Sequence, residues 1–200
     1  MLRECIVCYA VAIGDIICDS CVFNIKRYIG KCSMCFDRQC YCNDEYIGLF
    51  TYDSVKDMIL RLKYCSEDRI ANVFAQLSDI EIEDGLLWTC VPTTYKKLAQ
   101  RGYNASLVLC SVFAKKYNGY VSPFMFDMCE TDVVKENDKL SRLVKNERFT
   151  INENLVKNLP YKKLVIVDDV ICTGGTIAKL ISLFRLHSDI PVISICMAKK

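Results

Sequence analysis

The chain has 200 residues, 52% of them hydrophobic and 25% charged, with 26 basic against 24 acidic side chains and a formal net charge of +2. That length suits one α/β core with a small appendage and excludes two full cores, and that composition excludes wholesale disorder. A charge so near zero leaves no global attraction to nucleic acid or membrane, so any such binding must come from a local patch.

The opening stretch, MLRECIVCYAVAIGDIICDSC, holds short apolar runs broken by Cys, Glu and Asp. It offers neither a signal-peptide core nor the ~20 uninterrupted apolar residues of a membrane helix, so a cytoplasmic protein without membrane insertion is expected. Fourteen cysteines then read as metal ligands and reduced thiols rather than disulfides, and eight of them precede Asn43. Cys5-x-x-Cys8 and Cys18-x-x-Cys21 are two knuckles separated by a hairpin-length spacer, the pattern that suits tetrahedral zinc on four thiolates. Cys32, Cys35, Cys40 and Cys42 form a candidate second site, weaker because its last pair is too close for a standard knuckle. Arg3, Lys26, Arg27 and Lys31 are placed to offset a negative metal centre or to face a nucleic-acid backbone. The stretch lacks regularly spaced aliphatic residues for a core of its own and relies on a staple. A boundary near Asp44 therefore divides the chain into a Cys-rich zinc module, 1–43, and an α/β domain, 44–200.

From Tyr46 the texture changes. GLFTY predicts a strand; Val55, Met58, Ile59 and Leu62 predict a helix, and Ile70, Val73, Phe74 and Leu77 another. LLWTCVP, Leu86 to Pro92, predicts a buried strand closed by proline, followed by a loop and an apolar helix from Ala105 to Tyr117. Phe124 to Met128 is a further strand candidate. Glu130 to Asn158 is charged and poorly periodic, and reads as a long mobile loop with some short structure, of a length that tends to be functional. Strand LVIV, a helix from Thr176 to Leu186 and strand VISICMA, Val192 to Ala198, complete the chain. Strands alternating with helices imply an α/β fold with a mainly parallel sheet, helices on both faces and ligands at the carboxyl ends of strands.

Leu164 to Thr176, LVIVDDVICTGGT, carries the chemistry. An unbroken apolar run is expected to end in Asp168 and Asp169, two adjacent carboxylates that are costly unless something uses them. In Thr173-Gly174-Gly175-Thr176 the glycines admit a close ligand and the threonines supply hydroxyls. The following helix turns unpaired amides toward the same loop, an anion site without a cationic side chain. Acids for vicinal ribose hydroxyls beside an amide cup for a phosphate describe a sugar 5-phosphate site. A helix cap and an ordinary turn would account for each part singly, but not for all of them together. Two acids ending a strand also look like a Walker B element, yet the chain has neither G-x-x-x-x-G-K-[ST] nor G-x-G-x-x-G to cradle a nucleotide.

This run resembles the thirteen-residue motif of the type I phosphoribosyltransferases, with Cys172 in place of a usual small hydroxyl residue. The resemblance implies that Asp168 and Asp169 hold the ribose of 5-phosphoribosyl-1-diphosphate (PRPP), and that Cys172, Thr173, Gly174, Gly175 and Thr176 form the loop holding its 5-phosphate. With the N-terminal cysteines, LRLKY (Leu60 to Tyr64) and VPTTYKKLAQRGYN (Val91 to Asn104) narrow the likeness to the ComF-type competence proteins, which join a zinc module to a phosphoribosyltransferase domain. KLSRLVKN, from Lys139, is a shortened echo of that family's Leu-Ser-Arg segment, and Ala105 replaces its usual glutamine. The resemblance implies a role in natural transformation, in uptake or handling of single-stranded DNA, with other competence-machinery proteins as candidate partners. A transferase moving phosphoribose to a nitrogenous base, with magnesium bridging diphosphate and ribose, is the alternative. A docking zinc ribbon with a PRPP-sensing domain is a third reading.

Thr93, Thr94 and Arg101 are candidates for the diphosphate side, where hydroxyls, amides and cations follow a strand end. Lys96 and Lys97 fit a solvated helix start equally well. No catalytic residue is identified: His187 stands alone at a predicted helix end, and no Ser-His-Asp or Cys-His set can be built. Trp88 and the tyrosines read as sheet packing, with Tyr103 a candidate to stack on a base. Cys65, Cys90, Cys110, Cys129, Cys172 and Cys196 fall mostly on apolar segments and read as core thiols.

Overall fold

The computed structural model describes residues 2–13, 16–28, 45–130, 147–157 and 159–200. The second cysteine group, the boundary near Asp44 and the KLSRLVKN segment lie outside the described residues.

Five strands form an all-parallel sheet in the order β3 (Glu45–Thr51), β9 (Val192–Lys199), β8 (Leu164–Ile171), β4 (Leu87–Cys90) and β5 (Tyr120–Val121). The central strands β8 and β9 are apolar on both sides because both faces are covered, as in α/β sheets generally. One face packs against α2 (Tyr52–Tyr64), α3 (Arg69–Leu77) and α5 (Ala105–Lys116), and the other against α7 (Gly175–Arg185). The α2 stripe buries Val55, Met58, Ile59 and Leu62, the 3.6-residue spacing read from the sequence. Trp88 is fully buried and stacks on Tyr117 with ring centroids 5.9 Å apart. Gly119 is required beside it, since a Cβ there would lie 2.2 Å from the indole nitrogen.

Two expectations are corrected. The strand of LVIV does not end at the acid pair: β8 continues through Asp168 and Asp169 to Ile171, because β9 pairs with it throughout that length. VPTTYKKLAQR is not only loop: α4 (Tyr95–Arg101) forms, capped by the Thr94 hydroxyl at one end and by left-handed Gly102 at the other. The described part of the charged 130–158 stretch holds the short structure expected there: β7 (Glu147–Ile151), antiparallel to β6 (Phe126–Glu130), and a short α6 (Glu153–Val156). Cross-strand partners too distant in sequence for periodicity to reveal stabilise that hairpin.

At the N-terminus a hairpin of β1 (Leu2–Glu4) and β2 (Val11–Ile13) precedes α1 (Asp19–Asn24). Cys5, Ile6, Ala12 and Ile17 are buried in the same apolar cluster as the α2 stripe. The chain after α1 then runs along the outer edge of β3, where the Tyr28 amide donates to Leu49 O at 3.0 Å and the Thr51 amide to Lys26 O at 2.9 Å. This segment covers a sheet edge that would otherwise expose unpaired backbone groups. Among the described residues, no helix is long and apolar enough to cross a membrane.

Candidate functional site

The cleft opens where two neighbouring strands part. Register pairing of β4 with β8 ends at Cys90 opposite Val167, one last amide bond runs from Val91 to Val167 O at 2.9 Å, and Pro92 then leads the chain away. From Asp168 onward, no strand among the described residues pairs with that edge of β8. The acid pair is thus held rigidly by β9 on one side and opens into space on the other.

Each acid is already engaged by protein donors. Asp168 Oδ1 accepts from Ser106 Oγ at 3.1 Å and from the Asp169 amide at 2.9 Å. Asp169 is buried, and its Oδ1 lies 2.9 Å from Lys63 Nζ. Burial, and then the neighbouring Asp169 carboxylate, push Asp168 up to about 7; the Asp169 amide, the Ser106 hydroxyl and Lys63 oppose that rise without cancelling it. Ser106 is set by the N-cap of α5: Asn104 Oδ1 accepts from the Ser106 amide at 3.0 Å, while its Nδ2 donates to Val91 O at 3.0 Å. Asn104 therefore ties the end of β4 to the start of α5.

Beyond the acids, Gly174 takes φ +77, a left-handed conformation that favours glycine, and starts α7. Ala178 is the residue whose amide first finds a helical acceptor, Gly174 O at 2.9 Å, so the earlier amides face the loop. A Cβ built on Gly175 would meet only Thr173 Oγ1 at 3.6 Å, so the space over this glycine is open. The loop residues from Cys172 to Ile177 line a cavity of about 200 Å³, which shares Asp168 and Thr176 with a second cavity of about 190 Å³.

That second cavity is lined by Lys63, Thr93, Lys97, Arg101, Asn104 and Ser106 among others. Arg101 also donates to Tyr64 Oη at 3.0 Å and lies over the Tyr64 ring at 4.7 Å. Thr94 does not line it: its hydroxyl is buried and accepts from the Lys97 amide at 3.2 Å as the cap of α4. Asp168, Asp169, Cys172, Thr173, Gly174, Gly175, Thr176, Thr93 and Arg101 are thus brought to two adjoining hollows. Lys63 and Ser106 went unread in the sequence. Lys63 sits in LRLKY at the end of α2, and nothing local marks it as facing an acid more than a hundred residues later. Ser106 follows a capping asparagine, which is a signal for a helix start but not for a carboxylate partner.

The four cysteines of the first group meet as their spacing predicts. The sulfurs of Cys5, Cys8, Cys18 and Cys21 all lie within 4.8 Å of one another, a group able to hold a metal ion. The amides of Val7 and Cys18 donate to Cys5 Sγ at 3.4 and 3.3 Å. Burial works against a Cys5 thiolate, but these amides, that of Cys8 and the Cys8 thiol outweigh it and lower Cys5 to about 6. Cys21 is pushed up, by burial and then by the crowd of neighbouring thiols. Arg61 joins this cluster to α2, donating to Val7 O at 3.2 Å while Glu67 holds its guanidinium.

Other candidates fall elsewhere. Cys90, Cys110 and Cys196 are buried core thiols, but Cys65 and Cys172 are exposed, because they sit at the end of α2 and in the loop rather than in the apolar segments beside them. The side chain of Cys129 lies outside the described residues. The Tyr103 ring packs against the core, and His187 is exposed just past α7.

No family model matches the chain, and no curated protein matches it. Among solved structures, the fold is similar to a purine phosphoribosyltransferase from Pyrococcus horikoshii, at 16% identity over 79% of this chain and 80% of that one, with a TM-score of 0.31. It is also similar to the hypoxanthine phosphoribosyltransferase of Trypanosoma cruzi, at 14% identity over 79% of this chain and 73% of that one, with a TM-score of 0.33.

Proposed function

We propose that this chain binds PRPP. The observation that carries the reading is the pair of adjoining cavities: one is lined by the amide-rich start of α7 and the other by Lys63, Lys97 and Arg101, with Asp168 common to both. A phosphate in the first, a ribose diol on the acids and a diphosphate in the second would use the amides of the loop, the two carboxyl groups and the three cations. A helix N-terminus is a ready anion site, and carboxylates accept well from sugar hydroxyls. Ribose 5-phosphate and inorganic diphosphate should each compete with PRPP in a calorimetric titration, since each fills half of the site. Failure of both fragments to compete would reject the reading.

The biological setting we favour is natural transformation, with handling of single-stranded DNA, and its support is the sequence resemblance to ComF-type proteins. A deletion strain should lose transformation while growing normally on salvaged bases. In this reading residues 1–43 form a zinc module and 44–200 the PRPP-binding domain. Four thiol ligands with no histidine fit zinc, which takes Cys₄ sites in structural modules.

A second reading is transfer of phosphoribose to a nitrogenous base. It is favoured by the cations at the end of the cleft where a departing diphosphate would rest, since positioning and charge stabilisation supply much of such a barrier. Release of diphosphate that depends on an added base would support transfer, and magnesium would assist the leaving group there. In a third reading the cysteine module docks a nucleic acid or a partner protein. Its support is the exposed side of α1, where Phe23 stands almost free of contacts at 88% exposure.

A further inference from the structure

We propose that Lys63 is the cleft's own cation, so that PRPP binds to this chain without a divalent ion. The inference rests on the PRPP reading and concerns how that ligand is held. Lys63 extends from the last turn of α2, its side chain is only 20% exposed, and its Nζ lies 2.9 Å from Asp169 Oδ1. The second acid is engaged in the same way, with Asp168 Oδ1 accepting from Ser106 Oγ and the Asp169 amide.

A magnesium ion recruits carboxylate oxygens that are free and charged, and it keeps a strict octahedral shell. Here it would have to displace an ammonium group from Asp169 or sit beside it at like charge. Burial adds to the conflict, because it favours the protonated form of Asp168. The residues of the acid pair therefore do not fit a divalent ion in the ligand-free cleft.

What such an ion contributes to a diphosphate is charge neutralisation, and the chain supplies that elsewhere. Lys63, Lys97 and Arg101 line one cavity with the two acids. Three cations against two carboxyl groups leave the cleft positive before any ion enters. An ammonium carries three donors, so Lys63 can keep one on Asp169 and turn the others to the diphosphate. The free oxygen of each acid remains for the ribose diol. Where transfer occurs, magnesium then belongs to the departure of diphosphate and not to binding.

The test is calorimetric titration of PRPP into zinc-loaded full-length protein, in resin-treated magnesium-free buffer and again with excess magnesium chloride. A resin is used because a soluble chelator would also compete for the cysteine cluster. Wild-type affinity should agree within about threefold between the two buffers, while Lys63→Met should lose about tenfold or more without magnesium and regain it with magnesium. Lys63→Arg, which keeps the charge and controls for loss of fold, should behave as wild type. Wild-type binding that requires magnesium overturns the inference and leaves the PRPP reading standing. Absence of binding in both buffers overturns the two together. A Lys63→Met protein equal to wild type without magnesium, or one that magnesium does not restore, also overturns the role of Lys63.

Discussion

Two clusters in this molecule crowd groups that repel one another when ionised, and they are resolved differently. At the N-terminus four thiols meet within 4.8 Å, and Arg61, which reaches Val7 O beside them, has its charge matched by Glu67. At the end of β8 two adjacent acids are relieved from within, by Lys63 on one and by Ser106 and a backbone amide on the other. The first cluster is a group able to take an added cation, whereas the second carries its cation in the fold. A structural metal and a ligand pocket can both begin as a concentration of like groups; what separates them is whether the chain provides the counter-charge.

The largest effect should follow from breaking the first cluster. Structural zinc in small modules contributes on the order of 10 kcal/mol of folding free energy. Removing the metal, or substituting Cys8→Ser, should therefore expose the backbone of residues 2–28 to rapid hydrogen exchange while β8 and β9 stay protected. Full protection of both regions without metal would mean that the buried contacts of Cys5, Ile6 and Ile17 hold the module alone.

The two glycines sharpen the second cluster. Gly175→Ala adds a methyl group into open space, so thermal stability should hold while PRPP affinity falls by about tenfold, the cost of roughly one charge-assisted hydrogen bond. Gly174→Ala forces a side chain into a left-handed backbone and should lower stability by about 1 kcal/mol, seen as a lower melting temperature. If Gly175→Ala binds PRPP normally, the space above that residue is not where a phosphate sits.

The acid pair also predicts a pH dependence. Asp168 is raised from 3.8 to about 7 in the fold, so the unfolded chain gives up that proton first. Stability that is fully present below the unfolded value is then lost as pH rises through about 7. Asp168→Asn keeps an oxygen for Ser106 and the Asp169 amide but cannot ionise. It should melt above wild type near about pH 8 and lose that advantage near about pH 4. Equal differences at both pH values would show that Asp168 is not held protonated.

What the sequence made legible was contiguous. The loop from Cys172 to Thr176, the acids before it and the Cys5 and Cys18 knuckles are each written within a few residues, and the spacing alone specifies their geometry. The α2 stripe was equally plain, because all four of its periodic apolar residues are buried. The rest depends on tertiary approach. Lys63 meets Asp169, and Ser106 meets Asp168, only after three helices pack on one face of the sheet. The end of β8 was misjudged because two charges seemed to close a strand, whereas pairing with β9 carries it on to Ile171. The β6–β7 hairpin was missed since its register couples Phe126 to Ile151 across a stretch with no apolar period. Thr94 looked like a ligand donor and serves as a helix cap, two uses that a hydroxyl before a helix cannot distinguish by sequence.

The central claim is tested most directly by calorimetric titration of PRPP against the wild-type protein and the Asp168→Asn, Asp169→Asn variant. The account predicts saturable binding to the wild type and, near about pH 8 where Asp168 is ionised as well as Asp169, at least about a hundredfold loss in the variant, as two charge-assisted acceptors of the ribose hydroxyls become neutral. Equal affinity in the two proteins, or no heat of binding to either, would contradict it.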